Sequence, residues 1–295
     1  MTQQVTLTSP LGSHPYLTID EYKQAPTSVD VDDFVGGGSL ALNDVELGNV
    51  LARASSWIDS HCGQVLSSTV DTETFRCRAS RDGFLRVHPR YWPITAVVAA
   101  SFGSSPQALQ TLDVTTAWIE SETVVFPLVL SNVAFLGQIQ FSRNYQVLAE
   151  QFVSMTYVNG YANALSASST LAGVSSLPVS ELAGFTPNTK FTVFDGVNTE
   201  ILTVASTFVP SSGAGTVTLA APTAYPHGIG MSVSALPPAV KQACIYMTNV
   251  ILKSRGNSAL VMTGLTASQI IGNNPLVASD YGMAVDLLRP FRRIR

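Results

Sequence analysis

The stretch TKFTVFDGVNTEILTVASTFV, residues 189–209, decides the fold class of this 295-residue chain. Thr189–Phe194 and Glu200–Val209 are rich in β-branched and aromatic residues, which suit a half-buried pleated surface. Between them lies Asp195-Gly196-Val197-Asn198, whose Gly and Asn tolerate the backbone angles of a tight turn. The stretch predicts a β-hairpin. Thr216–Ala220 and Gly230–Ala235 add two short strands, with Pro222, Pro226 and His227 in the turn between them. Four or five short strands with so few charges predict a small barrel or sandwich over 165–236. The Ser/Ala/Gly-rich segment Ala162–Ser180 reads as a linker into it.

Outward from this insert the pattern changes to helices. Upstream, Thr18-Ile19-Asp20-Glu21 is a capping box, and Pro26 stops the short helix it starts. A second helix is expected from a cap at Asn43, with Glu46 three residues on. Its Leu47, Val50, Leu51, Ala54, Trp57 and Ile58 recur at helical spacing and form one apolar stripe. Downstream, Leu236-Pro237-Pro238 opens a helix whose stripe is Val240, Ala243, Cys244, Met247, Val250 and Ile251, ended by Gly256. A short helix near 266–271 and a last one over Asp280–Leu288 follow, the latter stopped by Pro290. Strands are expected at 65–70, 73–78, 84–88, 94–102, 116–120, 123–126, 138–142 and 151–158. Gln151–Val158 has apolar residues on both alternating sets, which predicts cover on both faces. The fold class is α+β: a helix-rich frame with a small antiparallel sheet, residues 1–164 plus 237–295, interrupted by an all-β insert, 165–236.

Composition narrows the function. Apolar residues are 46% and charged residues 12%, about half the usual charged share, so much of the surface is neutral and suits burial against partners or a Ser/Thr-rich solvated face. The net charge of −4 implies no global affinity for nucleic acid. It is unevenly spread: −7 over 1–164, −2 over 165–236 and +5 over 237–295. Opposite charge at the two ends suits head-to-tail contact between copies, or two separately solvated faces. No apolar run reaches membrane-spanning length. Cys62, Cys77 and Cys244 lack metal-ligand spacing, and with no secretory leader at the N-terminus a reducing site of synthesis is expected.

No catalytic motif is present. The chain has no HExxH, GxSxG or CxxC, and His14, His61, His88 and His227 each stand isolated in the sequence. Asp59 and His61 are two apart on a helix and do not face each other. Asp30, Asp32 and Asp33 do not make a calcium loop, because Phe34 occupies a ligand position and no closing Glu follows. The Gly36-Gly37-Gly38 triplet follows no strand and lacks the Lys-Ser/Thr pair of a phosphate cradle. No catalytic residue, cofactor or metal is expected. The terminal Arg289, Arg292, Arg293 and Arg295 lack an interleaved aromatic platform, which favours an acidic groove on a partner over nucleic acid.

Four stretches, in this order, carry a family resemblance: Tyr16-Leu17-Thr18-Ile19-Asp20-Glu21-Tyr22-Lys23; Leu51-Ala52-Arg53-Ala54-Ser55-Ser56-Trp57-Ile58-Asp59; Arg90-Tyr91-Trp92-Pro93-Ile94-Thr95-Ala96-Val97 with Met155-Thr156-Tyr157-Val158-Asn159-Gly160-Tyr161; and Leu236-Pro237-Pro238-Ala239-Val240-Lys241-Gln242-Ala243 with Leu287-Leu288-Arg289-Pro290-Phe291-Arg292-Arg293. Together they resemble the head-to-tail connector (adaptor) proteins of tailed bacteriophages over roughly half of the chain. In that family the Gly-Tyr turn passes after a short loop into the Leu-Pro helix; here the β insert occupies the connection.

The resemblance implies a non-enzymatic virion protein at the head-tail junction, made in the host bacterial cytoplasm. It implies a homo-oligomeric ring beneath the portal protein that extends the DNA channel and docks the next connector or tail protein, a stopper or tail terminator. Packaged DNA would pass without sequence-specific binding. Arg289, Phe291, Arg292, Arg293 and Arg295 are the expected portal contacts. Asp30, Asp32 and Asp33 either line the channel and repel DNA or form a solvated loop. The β insert would face the capsid or neighbouring subunits. Other readings are a tail terminator, tail tube or decoration subunit, a small hydrolase, or a carbohydrate-binding module using Phe208 and Tyr225. The helical frame argues against a tube, which strands would dominate, and the missing nucleophile motif argues against a hydrolase.

Overall fold

A computed structural model describes residues 6–8, 14–27, 29, 31, 39–78, 84–120, 122–127, 150–255 and 275–293. The chain divides into two compact units, one of Met1–Leu11 with Ser68–Gly160, the other of Gly12–Ser67 with Tyr161–Arg295. Both helices and strands occur, the strands form several small antiparallel sheets, and none closes into a barrel among the described residues. These units follow different lines from the expected division: the helices and residues 165–236 fall in one unit, and the strands of 68–160 in the other.

The strand unit is built on a long central pair. Its strands are β1 (Thr6–Thr8), β2 (Thr69–Arg78), β3 (Phe84–Val87), β4 (Ile94–Gly103), β5 (Gln110–Leu112), β6 (Trp118–Glu120), β7 (Thr123–Pro127) and β8 (Glu150–Asn159). One sheet has the order β1-β2-β8-β4-β5 and the other β3-β7-β6. β8 pairs with β2 over ten residues, from Thr69 opposite Asn159 to Arg78 opposite Glu150. The expected strands at 65–70 and 73–78 are thus one strand, begun at Thr69. Asp71 sits within it because Thr69 Oγ1 donates to its carboxylate at 2.7 Å and Asn159 Nδ2 at 2.6 Å. Val153, Met155 and Tyr157 of β8 pack with Leu85, Val87 and Phe126 in one core. The opposite face of β8 is half-buried at Phe152, Ser154 and Thr156 and buried at Val158, and the Thr72 and Thr156 hydroxyls meet on it at 2.8 Å. The expected cover on both faces of Gln151–Val158 is corrected accordingly. The expected strand at 138–142 lies outside the described residues.

The second unit carries α1 (Ile19–Gln24), α2 (Leu40–Cys62), α3 (Pro238–Arg255) and α4 (Pro275–Leu288). The capping box is formed: Glu21 N–H donates to Thr18 Oγ1 at 3.3 Å, and Thr18 N–H to Glu21 Oε2 at 2.8 Å. The cap of α2 is Ser39, whose hydroxyl accepts from Leu42 N–H, and not Asn43, which lies inside the first turn with its side chain buried. α2 ends at Gly63, whose φ of +71° is a left-handed conformation that glycine adopts without a Cβ clash. Leu47, Leu51, Ala54 and Ile58 face Val240, Ala243, Cys244 and Met247 of α3, as both stripes predict. α4 starts five residues before the expected Asp280, with proline at its first position. Gly256 and the expected helix at 266–271 lie outside the described residues.

The same unit contains six short strands, β9 (Asn163–Leu165), β10 (Ser176–Val179), β11 (Lys190–Phe194), β12 (Glu200–Thr203), β13 (Gly215–Thr218) and β14 (Ser232–Ser234). They form a sheet of order β12-β11-β14-β9 and a pair β10-β13, both antiparallel. Phe191, Val193, Leu177, Val217, Val233 and Phe185 close one core between the two sheets. Isolated bridges, Val204 to Leu219 and Ser166 to Val179, cross from one sheet to the other. The predicted hairpin stands as β11 and β12. The expected linker Ala162–Ser180 is corrected: it holds β9 and β10, with Ala162 and Ala164 buried, because small side chains fit where backbones approach closely. Asn163 Nδ2 donates to the carbonyls of His14 at 3.2 Å and Pro15 at 3.3 Å, tying β9 to the segment before α1.

Candidate functional site

The C-terminal arginine segment folds back onto the end of α2. After α4 a single 3₁₀ turn, Arg289–Phe291, redirects the chain. Arg293 N–H then donates to the Cys62 carbonyl at 3.0 Å, one of the carbonyls that the end of a helix leaves without an intrahelical partner. Phe291 is half-buried against the helical core, while Arg289 and Arg292 are exposed. The Arg292 charge is felt at His61 and Cys62, in the last turn of α2, where the helix dipole is negative.

Aromatic rings adjoin this segment. Trp57 and His61, one turn apart on α2, stack with centroids 5.0 Å apart, and Tyr281 of α4 meets Trp57 edge-on at 5.5 Å. Burial, with the Arg292 charge adding to it, holds the His61 pKa below its ordinary value. Asp59 does not face His61; it turns to the Tyr16 hydroxyl and the Leu66 N–H, and burial raises its carboxyl to about 6. A cationic patch flanked by aromatic rings can bind a carboxylate-rich or otherwise acidic surface. Arg295 and the acidic set Asp30, Asp32 and Asp33 lie outside the described residues.

The other histidines are not all isolated in space. His227 is fully buried between two carboxylates: its Nε2 lies 2.7 Å from Glu200 Oε1 and its Nδ1 3.3 Å from Asp195 Oδ2. Asp195 closes β11 and Glu200 opens β12, so the hairpin delivers both acids to a residue 27 and 32 positions away. Sequence reading missed this group; the two acids flanking a four-residue turn were the available signal. His88 Nδ1 meets Thr123 Oγ1 at 3.0 Å, and His14 Nε2 lies 3.4 Å from Ser180 Oγ, with burial lowering the His14 pKa.

A cleft of about 290 Å³ lies between α1 and the hairpin tip, lined by Thr18, Asp20, Gln24, Asp195, Asn198 and Ser232 among others. Among the described residues no group of three or more His, Cys, Asp or Glu is arranged to hold a metal. The three cysteines are free thiols, each raised in pKa by burial. No described helix is long and apolar enough to cross a membrane. Comparison with family models, curated proteins and solved structures found no match.

Proposed function

We propose that this chain is a structural virion protein of tailed bacteriophages that forms a head-to-tail connector ring beneath the portal. What supports the reading is the convergence of three separated stretches of the resemblance. Tyr16, Leu17 and Tyr22 from the first, Leu51, Ala54 and Ile58 from the second, and Leu236, Val240, Ala243 and Leu288 from the fourth belong to one hydrophobic core. Residues 16 and 288 are far apart in sequence, so their shared burial argues for one frame rather than chance similarity of isolated helices.

In this reading the ring extends the DNA channel, passes DNA without reading its sequence, and docks a stopper or tail terminator on its free side. The portal contact falls on Arg289 and Arg292, whose exposed guanidinium groups are repeated around the ring and so gain by multivalency. Phe291 and Arg293 hold the segment in place on the chain's own α2. The β insert, with exposed Leu171, Val197, Ile201, Val209 and Ile229, contacts the capsid or a neighbouring subunit. The test is the copy number of this chain in purified virions, by quantitative mass spectrometry. About a dozen copies fit one closed ring of cyclic symmetry. Hundreds would mean a tube or capsid role, and none would make the protein non-structural.

A further inference from the structure

We propose that Asp195, His227 and Glu200 form a proton-loaded clasp that fixes the hairpin tip, and that loss of one imidazole proton releases the Asp195 side of it. This is a property of the insert and does not rest on the connector reading.

Hydrogen-bond accounting leads to the clasp. A neutral imidazole carries one N–H, so between two ionised carboxylates one ring nitrogen would present a lone pair to an oxygen lone pair. The doubly protonated ring donates to both acids, and each contact is then charge-assisted. The two carboxylates sit on opposite ring nitrogens, which does not let all three groups grip one metal ion. The ring has no exposed surface, which removes it from contact with a substrate.

The backbone of His227 is anchored without the ring. His227 N–H donates to Thr170 O and Thr170 N–H to His227 O, each at 2.8 Å. A change of ring charge therefore acts on the hairpin and on the Gly228 amide bonded to Asp195, while the Thr170–His227 backbone pair stays fixed. The longer contact is the weaker one. On deprotonation the Nδ1 proton leaves to solvent base, Nε2–H stays with Glu200, and Nδ1 turns its lone pair toward Asp195. Asp195 O accepts from Asn198 N–H at 2.9 Å, and its side chain accepts from Gly228 N–H at 3.3 Å. Repulsion at Asp195 thus reaches both the tip and the 228 turn. The tip carries Val197, 97% exposed, and walls the cleft against α1.

Among the described residues, two charged side chains hydrogen-bond to the ring. From β11 and β12 come Asp195 and Glu200; the 166–170 segment brings Thr170, which has no charge. Asp20 of α1 lines the cleft beside Asp195, and Lys241 of α3 reaches Ser232 on the same cleft at 3.5 Å.

The test uses the full chain, titrated from about pH 5 to about pH 10, a span that brackets imidazole ionisation. Nitrogen-15 NMR follows the two ring nitrogens of His227, and hydrogen exchange follows the amides of Asn198 and Gly228. Exchange, corrected for its intrinsic base catalysis, is expected to rise on the order of tenfold with the same midpoint as ring deprotonation. The Thr170 amide serves as the control and should not change. Asp195→Asn should break the coupling while the ring still titrates, and Glu200→Gln should leave the Asp195 side coupled. A ring whose protonation is constant over the whole span overturns the proposal. So does Asn198 exchange that ignores ring deprotonation, or coupling that persists in Asp195→Asn.

Discussion

The Tyr16 hydroxyl donates to Asp59 Oδ1 and accepts from Leu66 N–H at 2.9 Å, so one buried phenol ties the start of the described helical unit to α2 and to the segment that leaves it. Leu66 N–H also reaches Asp59 Oδ1 at 3.3 Å. Burial dominates at Asp59 and raises its pKa from 3.8 to about 6, against the two hydrogen bonds that favour the charged form. The folded chain therefore holds this proton more tightly than the unfolded one. Its contribution to stability is present below about pH 4 and lost as pH rises through about 6. Asp59→Asn should remove that slope and leave the variant more stable than wild type at neutral pH, by on the order of 2 kcal/mol. Denaturant midpoints of both proteins at several pH values check it. An unchanged slope would mean that Asp59 ionises freely in the fold.

Lys241 Nζ lies 2.5 Å from Glu21 Oε1, with the Glu21 carboxylate almost wholly buried. Glu21 also supplies the returning half of the capping box. Glu21→Gln leaves Lys241 without its counter-charge and should cost about 3 kcal/mol. Thr18→Ala, which removes only the cap hydroxyl, should cost about 1 kcal/mol. Equal losses in urea unfolding would reduce the ion pair to a capping contact.

Glu73 is buried in the strand unit. Its Oε2 accepts from Arg90 N–H at 3.2 Å, and its Oε1 has no hydrogen-bond partner among the described residues. Burial raises its pKa, with Asp71 adding to the rise. The sign is that of Asp59: stability from this group falls as pH rises through the raised value. Glu73→Gln should melt higher than wild type in mildly alkaline buffer, and the gap should shrink as the buffer is made acidic. A variant less stable at alkaline pH would show that the charge is needed.

Arg289 and Arg292 are exposed, so Arg289→Ala with Arg292→Ala should shift folding stability by under about 0.5 kcal/mol for each change. The pair should nevertheless lose co-sedimentation with portal rings and fail to complement a phage lacking this protein. Full complementation would remove the arginines from the portal contact.

Much of the helical unit was legible because its signals are local. A capping box spans four residues, and an amphipathic stripe repeats within four, so Thr18, Glu21 and the faces of α2 and α3 could be read directly. The hairpin was legible for the same reason, since Asp195–Asn198 contains its own turn chemistry. Two neighbouring caps compete at α2, and Ser39 rather than Asn43 is used because the Asn43 side chain is buried.

Residue order and composition alone determined the helix stripes, the turn between β11 and β12, the neutral surface and the basic end of the chain. Long-range contact settled the rest. Asp71 occupies a strand interior because Asn159, 88 residues away, satisfies it. Ala162–Ser180 is sheet rather than linker because β14 and β13 lie beside it. His227 meets its two acids only when the hairpin folds over the 223–228 turn, and Arg293 meets Cys62 only when α4 packs on α3. Each of these depends on burial that exchanges water for a distant partner, and no window of neighbouring residues contains that partner.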